Sequence, residues 1–242
     1  MYFHIRGHNS PALKISRITR LLPVCFLPLL AASQAEGFAL DDSSWPVDST
    51  VVMQLELGPT GVFLQDGLGT WDNSAADALA QWNLYLDLIE FNWVLGSNAP
   101  KGSPDGFNSV FYSNTIFGDD FGDDTLAVTV WWTTDTYPFT KTEADVVFNT
   151  AQKFNSYRGP LQTDLYDFHR VALHEFGHVL GLAHVENYPF GQAIMEAYIT
   201  NLDHLAADDI AGVDFLYGFR ILNSGPYSQE VGGQLLAPNH HK

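Results

Sequence analysis

Hydrophobic and polar positions along this chain fall into two periods. Thr50 to Leu57 (TVVMQLEL) alternates with period two, as a strand with one buried face does. Ile89 to Val94 (IEFNWV) and Glu143 to Asn149 (EADVVFN) repeat that pattern, and Asn108 to Tyr112 reads as a shorter strand. Thr125 to Trp132 (TLAVTVWW) is instead a continuous run of β-branched and aromatic residues, suited to a central strand. Turn chemistry at Gly58-Pro59-Thr60-Gly61 and Asp66-Gly67-Leu68-Gly69 leaves Val62 to Gln65 as loop or a short strand.

Three segments follow the helical period. Asp72 to Asn83 has Asp72, Asn73 or Ser74 as cap and Ala75, Ala78, Leu79 and Trp82 on its apolar face. A second helix, capped by Thr163 or Asp164, carries a broad apolar stripe of Leu165, Phe168, Val171, Ala172, Phe176 and Val179. Asp208 and Asp209 open a third, where carboxylates meet the positive end of the helix; Ile210 and Val213 pack inward and Gly218 ends it.

The ends of the chain have a different texture. In residues 1–35, basic Lys14, Arg17 and Arg20 precede an apolar run from Leu21 to Ala32 and the small-residue site Ser33-Gln34-Ala35, the layout of an export signal. That run is too short to span a bilayer comfortably and contains Pro23 and Pro28. A lipoprotein signal ending at Cys25 is the alternative, disfavoured by the bulky Val24 before the cysteine. Residues 36–44 form a short acidic lead-in, residues 45–218 the folded domain, and residues 219–242 a polar tail. The expected product is secreted and monomeric, with no membrane anchor once the signal is removed.

Composition narrows the choice of partner. The full chain has a formal charge of −17; without residues 1–35, seven basic face 28 acidic residues, giving −21. Nucleic acid is excluded as a partner, because binding it needs a basic surface. The single cysteine, Cys25, leaves with the signal, so the fold must hold without disulfides, as a domain of this size can. The acidic loop Gly118 to Asp124 offers Asp119, Asp120, Asp123 and Asp124 as candidate calcium ligands, although the spacing matches no EF-hand.

The densest chemistry lies in HEFGHVLGLAH, residues 174–184. Residues four apart share a helix face, so His174 and His178 can place ring nitrogens on one metal ion with Glu175 beside them. Gly181 allows a left-handed exit from the helix that can bring His184 back as the third ligand. Three imidazoles with an open fourth position, plus a carboxylate base, are the parts of a catalytic zinc site. His169 lies off the ligand face and reads as an ordinary surface histidine.

The extended pattern HExxHxxGxxH, followed by Met195 in Ala193-Ile194-Met195, resembles the metzincin metallopeptidases. The wording of the motif, with the Asp208–Gly218 segment downstream, resembles their matrixin branch. The resemblance implies an α+β zincin-like domain: a twisted, mostly parallel sheet with one antiparallel edge strand and three main helices. It implies one catalytic zinc on His174, His178 and His184, Glu175 as general base and Met195 in a Met-turn below the metal. An extended polypeptide substrate would lie along an edge strand, which Glu143 to Asn149 resembles, making Val146, Val147 and Phe148 candidate cleft residues with Tyr198 on the opposite wall.

The chain departs from that pattern in several places. Val185 follows the third histidine, where matrixins usually carry serine, and Ala197 replaces the proline of the pocket wall. No histidine lies between His8 and His169, so the structural zinc site of vertebrate matrixins cannot be built. The cysteine-switch motif is absent, which leaves Asp41 or Asp42 as a candidate carboxylate latch on the zinc. A non-catalytic zinc-binding or adhesive protein on the same scaffold is the competing reading; retention of Glu175 argues against it.

Overall fold

The computed structural model describes residues 37–185 and 191–218, together with the backbone of three short strands, β1 (Tyr2–Arg6), β12 (Glu230–Val231) and β13 (Gln234–Leu235). The proposed signal core, its cleavage site and most of the tail lie outside the described residues. In chain order, the lead-in gives β2 (Ala39–Leu40) and β3 (Ser43–Ser44), followed by β4 (Ser49–Glu56), α1 (Trp71–Asn83), β5 (Ile89–Leu95) and β6 (Asn108–Ser113). Then come β7 (Thr125–Thr133), β8 (Phe139–Asn149), β9 (Phe154–Asn155), β10 (Tyr166–Asp167), α2 (Phe168–Leu180), β11 (Leu182–Ala183) and α3 (Ala207–Tyr217).

The main sheet has the order β1-β7-β8-β6-β4-β5. Strands β5, β4, β6 and β8 run parallel, whereas β7 is antiparallel to β8. This is the α+β arrangement anticipated, with three helices among the described residues and a mostly parallel sheet. The antiparallel strand is a different one, however. Glu143 to Asn149 belongs to β8, which lies between β6 and β7, and Val146, Val147 and Phe148 are completely buried there. They do not line a cleft.

The alternation in β8 has another cause. Its polar residues face neighbouring backbone rather than water: Glu143 accepts hydrogen bonds from the amides of Asp105 and Gly106, Asp145 from that of Ser109 in β6, and the Asn149 side-chain amide donates to the Thr125 carbonyl of β7. In β7 the apolar run reflects cover on both faces, not a central place in the sheet. One face turns towards α2; on the other, Val128 and Val130 pack with Ile116, Phe117, Phe121 and Trp132. Among the described residues only β1 lies beyond β7, antiparallel, pairing Tyr2–Arg6 with residues 125–130.

Helices α1 and α2 pack together against the sheet. Thr70 caps α1 through its hydroxyl, accepting from the Asn73 amide, and Trp82 of α1 donates its indole N–H to the Leu173 carbonyl of α2 at 2.9 Å. Helix α2 begins at Phe168, later than Thr163 or Asp164 would place it, because Asp167 turns inward to accept from the Tyr157 amide. Every residue of α2 is buried. A helix so enclosed carries no solvent face, and His169, expected at the surface, bonds Asp77 of α1 at 2.8 Å.

Candidate metal centre

Gly181 ends α2 in the left-handed region, with φ of 110°. A side chain there would also meet the Ser43 carbonyl at 2.5 Å, so glycine is required twice over. The chain reverses into β11, which pairs antiparallel with β2 of the lead-in, and the Asp41 amide donates to the Gly181 carbonyl at 3.0 Å. This turn brings His184 to the two helical histidines.

The three Nε2 atoms form a triangle with sides of 3.0, 3.1 and 3.2 Å. His174 Nδ1 lies 2.7 Å from the Ile194 carbonyl and His178 Nδ1 lies 2.7 Å from the Leu182 carbonyl. A carbonyl only accepts, so both Nδ1 atoms carry the proton and both Nε2 atoms present lone pairs inward. Burial favours this neutral form and pushes both pKa values well below the usual histidine range. Lone pairs that converge at such spacing repel one another unless a cation lies between them. Four-coordinate zinc, with bonds of about 2.0–2.1 Å, needs nitrogens about 3.3 Å apart. The residues present therefore fit the ion.

Two loops hold the outer nitrogens in place, the α2 exit for His178 and the segment around Met195 for His174. The second loop is itself fixed by Asp209, which accepts from the amides of Ile194, Met195 and Ala206. Its reach to Ala206 caps α3, while burial lifts its carboxyl to about 6. The Val185 amide donates to the Met195 carbonyl at 3.1 Å, joining the third histidine's neighbour to the same loop. Met195 is buried directly against α2: a side chain at Gly177 would collide with its Sδ, and would lie 3.2 Å from the Trp82 ring. The glycine inside the motif thus lets Met195 approach the helix that carries the ligands.

Glu175, between the ligands in sequence, is completely buried. The Thr129 hydroxyl of β7 donates to its Oε2 at 2.6 Å, and Oε1 has no hydrogen-bond partner among the described residues. Burial raises the carboxyl to about 8 against the opposing effect of Thr129. A divalent cation at the neighbouring nitrogens favours the ionised form.

A matrixin profile of the M10 peptidases matches residues 70–218. The chain belongs to the matrixin family. Among solved structures it is similar to the crystal structure of myroilysin, with a TM-score of 0.37 and 16% identity over 77% of this chain and 96% of that one. No match was found among curated proteins. The domain is thus a matrixin metallopeptidase domain, and the His174, His178 and His184 cluster fits its zinc.

The remaining candidates divide. Among the described residues the three histidines are the one group of three or more metal-binding side chains close enough to share an ion. Asp119, Asp120, Asp123 and Asp124 are all exposed in their loop and form no such group. Tyr198 lies on the segment after Met195, with 36% of its surface accessible. Asp42 is exposed, and Asp41 is not a zinc latch: its carboxylate pairs with Lys141. Sequence reasoning missed Thr129, Gly177 and Lys141, and gave Asp209 only its helix-opening role. Thr129 had one available signal, a hydroxyl in an otherwise apolar run.

Proposed function

We propose that this matrixin is a secreted zinc-dependent endopeptidase in which Glu175 is the general base. The carrying observation is the pairing of three inward-facing imidazole nitrogens with a buried carboxylate held at one oxygen and, among the described residues, unpartnered at the other. Zinc held by His174, His178 and His184 would supply an acidified water and polarise a carbonyl. Glu175 takes the water's proton at Oε1 and returns it to the leaving amine, so no acyl-enzyme forms. The Nδ1 hydrogen bonds keep the His174 and His178 rings in the correct tautomer throughout.

An extended polypeptide is the proposed substrate, bound by strand addition to the outer edge of β7 rather than to β8. Support comes from β1, which occupies that edge antiparallel to residues 125–130. Removal of residues 1–35 on export would open the edge. Export itself is part of the proposal; among the described residues no helix is long and apolar enough to cross a membrane.

The deciding experiment is a peptide-library cleavage profile of the secreted protein, with and without chelator, alongside Glu175→Gln. Chelator-sensitive cleavage that is lost in the variant, with one zinc still bound, is expected. Stoichiometric zinc with no cleavage of any peptide would instead favour a non-catalytic, zinc-binding scaffold.

A further inference from the structure

Thr129 occupies a position that strand formation alone would fill with an apolar residue. Its neighbours Ala127, Val128 and Val130 are buried, and Thr129 itself is wholly enclosed on the face of β7 towards α2. A hydroxyl buried there without a partner would be destabilising. It has two acceptors on one residue 46 positions away: the Glu175 carbonyl at 3.1 Å and Glu175 Oε2 at 2.6 Å. A hydroxyl has one proton, and the shorter bond, to the carboxylate, is the stronger when that group is charged.

The bond distinguishes two otherwise equivalent oxygens. The last torsion of a glutamate is broad and roughly two-fold, so an unheld carboxylate presents either oxygen over a range of angles. With Oε2 tied to a sheet strand, Oε1 alone is left to take a proton.

We propose that Thr129 is a positioning residue for Glu175, fixing Oε2 so that Oε1 is the oxygen that accepts the proton from water. This rests on the peptidase reading above. The strand that offers its edge to substrate thereby also orients the base, and the two are held in one frame. Thr129 touches neither substrate nor metal in this role.

The test compares Thr129→Val, which keeps the shape without the hydroxyl, with Thr129→Ser, which keeps the hydroxyl. Both are made in the secreted protein, with kcat, KM, zinc content and thermal midpoint measured on a fluorogenic peptide. Misorienting a reacting group costs about ten- to a hundredfold in rate. Thr129→Val should lower kcat by that factor with KM and zinc content unchanged, while Thr129→Ser stays within about threefold of wild type.

An unchanged kcat in Thr129→Val overturns the assignment, as does an equal loss in the serine variant. Wild-type protein without chelator-sensitive cleavage removes the peptidase reading and Thr129's role together. Active wild type with an unaffected valine variant removes only the latter.

Discussion

Lys141 Nζ lies 2.7 Å from Asp41 Oδ2, and both side chains are fully buried. The ammonium sits 4.1 Å from the centre of the Trp131 ring, and Asp41 accepts further bonds from the Ser43 amide and hydroxyl. Desolvation lowers the lysine to about 8, against the attraction of Asp41. The pair joins the lead-in to β8 beside the turn between His178 and His184, so residues 39–44 belong to the fold.

Removing one member of such a pair strands the other charge, at about 3–5 kcal/mol. Asp41→Ala should lose that much stability in chemical denaturation, whereas Asp41→Leu with Lys141→Met should lose far less. A truncation beginning at Ser44 should be destabilised and gain no activity. Activation on truncation would restore the latch that the structure replaces.

Gly177 gives a second prediction. Alanine is the better helix former by about 1 kcal/mol, yet its Cβ would displace Met195 and press on Trp82, whose indole is tied to Leu173. Overpacking of this kind costs about 1–3 kcal/mol, so Gly177→Ala should lower the thermal midpoint. Adding Met195→Ala should recover part of that loss. A more stable Gly177→Ala would show that Met195 yields without cost.

These two sites mark how far the sequence could be read. The histidine ligands were legible because their spacing follows from helix geometry and a left-handed glycine, both local. Strand existence was legible too, but the places of β7 and β8 were exchanged. Periodicity reports which residues are satisfied by water only when polar ones are solvated; Glu143 and Asp145 instead bond backbone amides. Asp41–Lys141, Thr129–Glu175 and Asp209–Met195 are contacts between distant segments, and no local pattern carries them.

Asp145 supplies a pH prediction. It is 1% exposed, has one oxygen without a partner among the described residues, and burial lifts it from 3.8 to about 8. The unfolded chain ionises near pH 4 while the folded protein holds the proton until about 8, so its contribution to stability declines as pH rises between those values. Asp145→Asn keeps an acceptor for the Ser109 amide and removes the charge. The variant should gain about 1–3 kcal/mol over wild type at pH 9 and little at pH 4. Equal differences at both pH values would refute the assignment.

Zinc retention tests the ligand geometry directly. Protons compete with zinc for imidazole, and a ligand normally begins to lose that competition near its own pKa of about 6.5. Burial holds His174 and His178 well below that value, and their Nδ1 protons are already committed to Ile194 and Leu182. The protein should therefore keep its zinc through dialysis at pH 6, with release only under stronger acid. His178→Ala should abolish stoichiometric binding, since two imidazoles leave the metal without a closed set of three. Zinc content measured across a pH series decides the matter; release with a midpoint above 6.5 would mean that the ligands are solvated and the enclosed site is wrong.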